Sequence, residues 1–231
     1  MKIELKKKPK NVTIIEGFPG FGLVATITTE YLIEHLKAEL IGKIIVSEVA
    51  PVVAVHNSKV IEPLGVFYVK KYNLVILHAL TNVKKFEWIL SEQVIQLSKM
   101  LNAKEIISIE GISSTIDKSS EVYYLAKNKN SFSRLGLNEL KEGVIVGVTG
   151  ALLLKDGIPF SSLFAESGTG LPDSRAAANI IKVLDKYLKL KVDYGPLIKK
   201  ADLFEKKIKG IVGKSNQTLS LQEKKDLSYL G

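Results

Sequence analysis

Residues 11–25 read NVTIIEGFPGFGLVA, and this stretch decides the fold. Val12, Thr13, Ile14 and Ile15 make an apolar, largely β-branched run. Gly17, Pro19, Gly20 and Gly22 follow in close succession, and apolar residues resume at helical spacing from Leu23. The order predicts a strand, a tight turn and a helix.

Gly17, Gly20 and Gly22 permit positive φ or close backbone approach, while Pro19 fixes its own φ and pushes Phe18 towards an extended conformation. The turn is therefore expected to be rigid, packed by Phe18 and Phe21. A glycine turn that feeds a helix also presents free N–H groups and the positive end of the helix dipole, which suits a small anion. The order G-x-x-G-x-G differs from the dinucleotide fingerprint G-x-G-x-x-G, and no Gly-Lys-Ser/Thr ending follows. A structural turn, a small-anion or ligand turn and a nucleotide site all stay open, with Glu16, Gly17, Gly20 and Gly22 as candidate residues.

A chain of 231 residues makes one α/β domain or two small ones. At that length one core buries about 70% of the unfolded surface. The absence of cysteine excludes disulfides and thiolate nucleophiles, and agrees with a reducing cytoplasmic setting. His35, His56 and His78 have no i, i+4 spacing, so no metal and no cofactor are expected. MKIELKKKPK lacks the apolar core of a secretory signal, and no stretch approaches the roughly 20 apolar residues of a membrane span. A soluble protein is expected. Net charge is +9, yet all but two of the 33 basic residues are lysine, the exceptions being Arg134 and Arg175. Specific nucleic-acid readers and phosphate clamps favour the arginine fork, so a lysine-rich solvated surface is the reading. Abundant Lys, Glu and Ile would also suit a thermophile.

Outward from the glycine turn, Leu23, Ile27, Tyr31, Leu32 and His35 predict a helix ending near Leu40, with Gly42 as its stop. A buried strand is expected over Lys43–Val49, then strands over Val52–Val55, Lys59–Ile61, Gly65–Lys70 and Leu74–Leu80, with Tyr72 and Asn73 at a hairpin turn. This β-rich insertion predicts a mixed sheet. Lys85–Leu101 carries Phe86, Ile89, Leu90, Val94, Leu97 and Leu101 on one helical face, with Trp88 off it, at a rim or facing another subunit.

Glu105–Ile109 predicts a compact strand ending in Glu110-Gly111, which echoes Glu16-Gly17. In open α/β sheets that edge is where ligands bind. The two carboxylates suit acid/base work; capping a helix or pairing with lysines suits them equally, and no catalytic residue is assigned. Ser113, Ser114 and Thr115 are expected in a loop. Val122–Ala126 reads as a strand, Lys127–Ser133 as a polar linker, Gly143–Val148 as a strand leading through Thr149-Gly150 into Ala151–Leu154, and Phe160–Ala165 as another strand. Asp173 or Ser174 should cap a helix that buries Ala177, Ile180, Ile181, Leu184, Tyr187 and Leu188. A further helix from about Asp193 carries the stripe Tyr194, Leu197, Ile198, Ala201, Phe204, Ile208, Ile211 and Val212, which wants a partner in the same chain or in another subunit. Residues 1–213 are expected as one domain and 214–231 as a flexible tail.

EGFPGFGLVA at 16–25, EGI at 110–112, VTGALLL at 148–154, LFAESGTGLPDSRAA at 163–177 and the paired terminal helices together resemble the proteasome assembly chaperone family, in particular archaeal members related to the second eukaryotic chaperone. The resemblance covers about residues 10–212. It implies a three-layer α/β/α sandwich with a mixed sheet, similar to the nucleoside-phosphorylase-like fold, with added C-terminal helices. It also implies homo-oligomerisation and binding to proteasome core-particle subunits or to another assembly chaperone. Members that grip the core particle often end in hydrophobic-Tyr-any residue, whereas here Tyr229 is third from the end and Leu230 is penultimate. Moving the aromatic one place shifts it about 3.3 Å and to the other side of an extended peptide. Tyr229, Leu230 and Gly231 are the candidate docking residues. The reading is a non-enzymatic assembly chaperone or adaptor, and the alternative is an enzyme on a phosphorylase-like scaffold acting on a nucleoside or other small anion.

Overall fold

The computed structural model describes residues 2–47, 53–56, 59–80, 83–113, 121–127, 132–157, 159–168 and 170–199, with isolated positions between 201 and 213. The first half contains β1 (Lys2–Leu5), β2 (Thr13–Gly17), α1 (Val24–His35), β3 (Glu39–Ile45), β4 (Ala54–His56), β5 (Lys59–Ile61), β6 (Leu64–Val69), β7 (Leu74–Ala79) and α2 (Glu87–Met100). The second half contains β8 (Glu105–Ser113), β9 (Val122–Ala126), β10 (Asn138–Glu139), α3 (Gly147–Leu153), β11 (Phe160–Ser167), α4 (Ser174–Leu188) and α5 (Gly195–Lys199).

Nine strands form one mixed sheet in the order β1-β3-β6-β7-β2-β8-β11-β9-β10, and β4 and β5 form a separate hairpin. The centre, β7-β2-β8-β11, is parallel; β6 joins β7 antiparallel, as does β9 to β11. Strands covered on both faces need apolar residues pointing both ways, which is why TIIEG, LVILHA and EIISIE read as nearly continuous apolar runs. Both strands that carry an acid–glycine pair are internal, as the sequence leads one to expect, although β8 runs on past Glu110-Gly111 to Ser113.

Alternation along β2 sends Ile15 to one core and Ile14 to the other. The first core joins α1, α4 and α5 to the sheet through Ile27, Leu32, Ile180, Leu184 and Leu197. The second joins α2 and α3 through Leu90, Val94, Leu97, Val148 and Leu152. The result is a three-layer α/β/α sandwich. No helix among the described residues is long and apolar enough to cross a membrane.

Four expectations need correction. The helix expected to reach Leu40 ends at His35, because Lys37 adopts φ 51° and turns the chain into β3; Gly42 lies inside that strand, beside a register shift. No strand forms over 143–148: Val144 and Val146 are 92% and 73% exposed, and Gly147, at φ 81°, starts α3. A β-branched run with no face to pack against does not become a strand. The supposed polar linker at 127–133 contains Phe132, which is fully buried against Tyr124 and Tyr187. Finally, Ser113, expected in a loop, is the last residue of β8. Of the helix expected from about Asp193, Gly195–Lys199 forms α5, whose Leu197 packs into this chain's own core, and positions 201, 203, 206, 209, 210 and 213 are helical, while Phe204, Ile208, Ile211 and Val212 lie outside the described residues.

Candidate functional site

After β2 the chain moves through α1 to the strands on one side of the sheet, and after β8 it moves to those on the other. The connections leaving these two neighbours diverge, so a crevice opens at their carboxyl ends. It is a cavity of about 1020 Å³, walled by the Phe18–Leu23 turn, residues 83–87, Gly111–Ser113, the extended segment 140–146 and the first turn of α3. Glu16 and Glu110 both line it.

The sheet register dictates what the two carboxyls meet. Glu16 pairs with Ser108 across β2 and β8, and Glu110, two residues further along β8, points to the same face. Thr149, in the first turn of α3, covers them. The Ser108 hydroxyl donates to Glu16 Oε2; Ser108 Oγ lies 2.7 Å from Thr149 Oγ1; and Thr149 Oγ1 lies 3.4 Å from Glu110 Oε2. This makes a chain of three contacts, Glu16–Ser108–Thr149–Glu110. Two hydroxyl protons serve two of the contacts, so all three are satisfied together only when a carboxyl carries a proton: with Ser108 donating to Glu16, Thr149 donates to Ser108 and a protonated Glu110 donates to Thr149, whereas Thr149 turns its proton to Glu110 when that carboxyl is ionised.

The electrostatics agree with that count. Burial raises Glu16 to about 7, against the donors Ser108 and the Phe18 N–H. Burial, then the charge of Glu16, raises Glu110 to about 8, against donation from the Gly111 N–H, Thr149 and the Phe21 N–H. Neither carboxyl has a lysine or arginine within ion-pair distance among the described residues. The reading in which these acids pair with lysines is thereby corrected, and Glu16 is only 1% exposed.

The glycines fit around this chain. Gly20 lies against the Glu110 carboxylate, where a Cβ would overlap it, and Gly22 adopts φ 62°, beside Ser167 Oγ. Gly17 packs on Thr29 and Gly111 on the Phe21 carbonyl. Phe18 is buried as expected, whereas Phe21 is 37% exposed beside the cleft. The Phe21 N–H at the turn, one of the groups that would welcome a small anion, already donates to Glu110.

Asp173 locks onto the same turn. The Asp173 N–H donates to the Gly22 carbonyl at 2.9 Å, and the Asp173 side chain caps α4 by accepting from the N–H groups of Arg175 and Ala176 at 3.1 and 2.9 Å. Ser167 Oγ also donates to Asp173 Oδ2 at 2.9 Å.

The six candidate residues Glu16, Gly17, Gly20, Gly22, Glu110 and Gly111 therefore come together, whereas Tyr229, Leu230 and Gly231 lie outside the described residues. Sequence reasoning missed Ser108 and Thr149. Ser108 had a signal, being the one polar residue between Glu105 and Ile109 and in step with Glu110; Thr149 had none while its helix was read as a strand end.

A second polar cluster sits away from the cleft. Thr29 Oγ1 is 2.8 Å from His78 Nδ1, and His78 Nε2 is 3.1 Å from Glu30 Oε2. The order matches hydroxyl, base and acid, but Thr29 is fully buried and also bonds the Ala25 carbonyl at 2.9 Å. It ties α1 to β7.

A model of the PAC2 family matches residues 14–212. An uncharacterized protein of Methanocaldococcus jannaschii is 27% identical over 226 residues, which are 96% of this chain and 94% of that protein. Among solved structures, Pyrococcus furiosus PbaA, described as an archaeal homolog of proteasome-assembly chaperone, superposes with a TM-score of 0.84 at 27% identity, covering 94% of this chain and 99% of PbaA. Pyrococcus furiosus PbaB, described as an archaeal proteasome activator, gives 0.75 at 22% identity over 91% of this chain and 98% of its own, and so shares the fold. Since the family model spans the strands, helices and turns that build the cleft, this chain belongs to the PAC2 family.

Proposed function

We propose that this chain is a non-enzymatic proteasome assembly chaperone or adaptor, which forms homo-oligomers in the cytoplasm and binds core-particle subunits or another assembly chaperone. The observation that carries the reading is the likeness to PbaA along nearly the whole of both chains. The chemistry of the site supports it: the hydroxyl that approaches an imidazole, Thr29, is closed off in the core, and among the described residues no arginine or histidine lines the cleft beside the paired carboxyls.

The test is capture. The purified protein should co-migrate with core-particle subunits or half-assembled particles in a size-exclusion or affinity experiment. The rival reading, an enzyme on the same scaffold acting on a nucleoside or another small anion, has Glu16 and Glu110 at the carboxyl edge of the sheet in its favour. Nucleoside turnover by the same preparation, without capture, would establish the rival instead.

A further inference from the structure

The cleft has a composition at odds with the rest of the molecule. The protein carries a net charge of +9, yet Glu16, Glu110, Glu87 and Glu142 line this cavity against Lys84 and Lys85. An adjoining cavity of about 580 Å³ shares Ile112, Ser113, Leu140 and Glu142 with it and adds Glu139 and Glu166 against Lys141. The groove along this edge of the sheet is thus acidic on a basic protein.

At its floor lies a polar cluster that is short of a counter-ion. The chain Glu16–Ser108–Thr149–Glu110 needs one carboxyl proton to satisfy its three contacts, and with that single proton it bears one negative charge. A charge withdrawn from water is ordinarily paired. Here the donors to the two carboxyls are neutral hydroxyls and N–H groups. Above the cluster, Phe18, Phe21, Val83, Ile112, Val146 and Val148 offer apolar walls, and Val146 is largely exposed.

We propose that this cleft is a binding site for an ammonium or guanidinium group borne on an apolar stem. The cationic head seats against the Glu16–Glu110 pair and the stem lies along the apolar walls. The inference is independent of the chaperone reading. An added anion would have to approach the carboxyl pair, and the Phe21 N–H at the turn is already taken by Glu110. A cation, in contrast, supplies the missing charge while the proton of the hydrogen-bond chain stays in place; below about pH 7, where the pair holds a second proton, the cation expels that one. The charged groups that line the cavity beside the pair are Lys84, Lys85 and Glu87 from the segment entering α2 and Glu142 from the extended segment.

The source of the head group is either a free amine or a basic side chain presented by a protein. Calorimetry on the full chain with hexylammonium, 1-hexanol and hexanoate, which share one apolar stem, tests the class of ligand. Hexylammonium should bind, gaining up to tenfold in affinity per pH unit between pH 6 and 7 and levelling off above about 8. Its heat should vary with the ionisation enthalpy of the buffer, which reports the released proton. Glu110→Gln keeps the shape and an acceptor for the Phe21 N–H, and should lose at least tenfold in affinity together with the pH dependence. Should that variant not fold, proton release by the native chain decides. The peptide acetyl-Ala-Lys-Ala-amide separates the sources: tighter binding than hexylammonium assigns a protein side chain, and weaker binding a free amine. Equal binding of hexanol or hexanoate, pH-independent binding of hexylammonium, or no binding at millimolar concentrations would overturn the proposal.

Discussion

Gly20 packs against the carboxylate of Glu110 with no room for a side chain between them. The contact places the glycine turn and an acid of the neighbouring strand β8 in one unit, so a change at either is felt by both.

Gly20→Val should therefore destabilise the protein by about 1–3 kcal/mol, since the new side chain must displace either the turn or the half-buried carboxyl of Glu110. Glu16→Gln should cost less, although Glu16 is buried, because an amide reproduces the donor and acceptor pattern of a protonated carboxyl towards Ser108 and the Phe18 N–H. Denaturant unfolding of both variants checks the order. Equal stability of Gly20→Val and the parent would refute the rigid-turn reading.

The carboxyl cluster also fixes the direction of a pH effect. Glu16 and Glu110 titrate near 7 and 8 in the folded chain but near 4.5 once unfolded. Between those limits the folded state holds more protons, so stability should fall as pH rises from about 5 to about 8. Each unit of elevation corresponds to roughly 1.4 kcal/mol. Thermal melts across this range should show the decline, and Glu16→Gln should flatten it; melts that rise towards pH 8 would contradict the cluster's protonation.

Asp173→Ala removes the cap of α4 and leaves Ser167 without its acceptor. The expected loss is about 1–2 kcal/mol, a fall of several degrees in Tm for a chain of this length. Asp173→Asn should restore most of it, because asparagine caps nearly as well. A loss of the same size in both variants would point to the charge rather than the cap.

For the tail, deletion of Tyr229–Gly231 should leave folding and oligomerisation unchanged but weaken capture of the core particle. An aromatic and a branched aliphatic side chain are the large apolar groups nearest the carboxyl terminus. Undiminished capture by the truncated chain would place binding in the folded body.

The parts of the fold legible in the sequence are those whose pattern is local. Thr13–Gly17 and Leu74–Ala79 are continuous apolar runs between turn residues, and Ser174–Leu188 pairs a capping aspartate with a clean apolar face. The segment 143–148 misleads because β-branched residues favour strands only when a neighbour and a core accept them, and here Val144 and Val146 meet solvent. Phe132 is invisible because a lone aromatic in a polar stretch has no period. In the site, the glycines and acids announce themselves by type, whereas Ser108 and Thr149 matter through strand register and the placement of one short helix, neither of which a sequence states.

The central position of β2 sets the order of events during synthesis. It is among the first strands made, yet Thr13 pairs with Leu74 and with Glu105, the latter 92 residues away. At about 5–20 residues per second, its second neighbour emerges on the order of 5–20 s later. Until β7 emerges both edges of TIIEG are open, and until β8 emerges one still is, the kind of edge that pairs with whatever strand is nearest. Release of a chain ending before Glu105 would make that exposure permanent, so such fragments should aggregate rather than persist as a smaller domain.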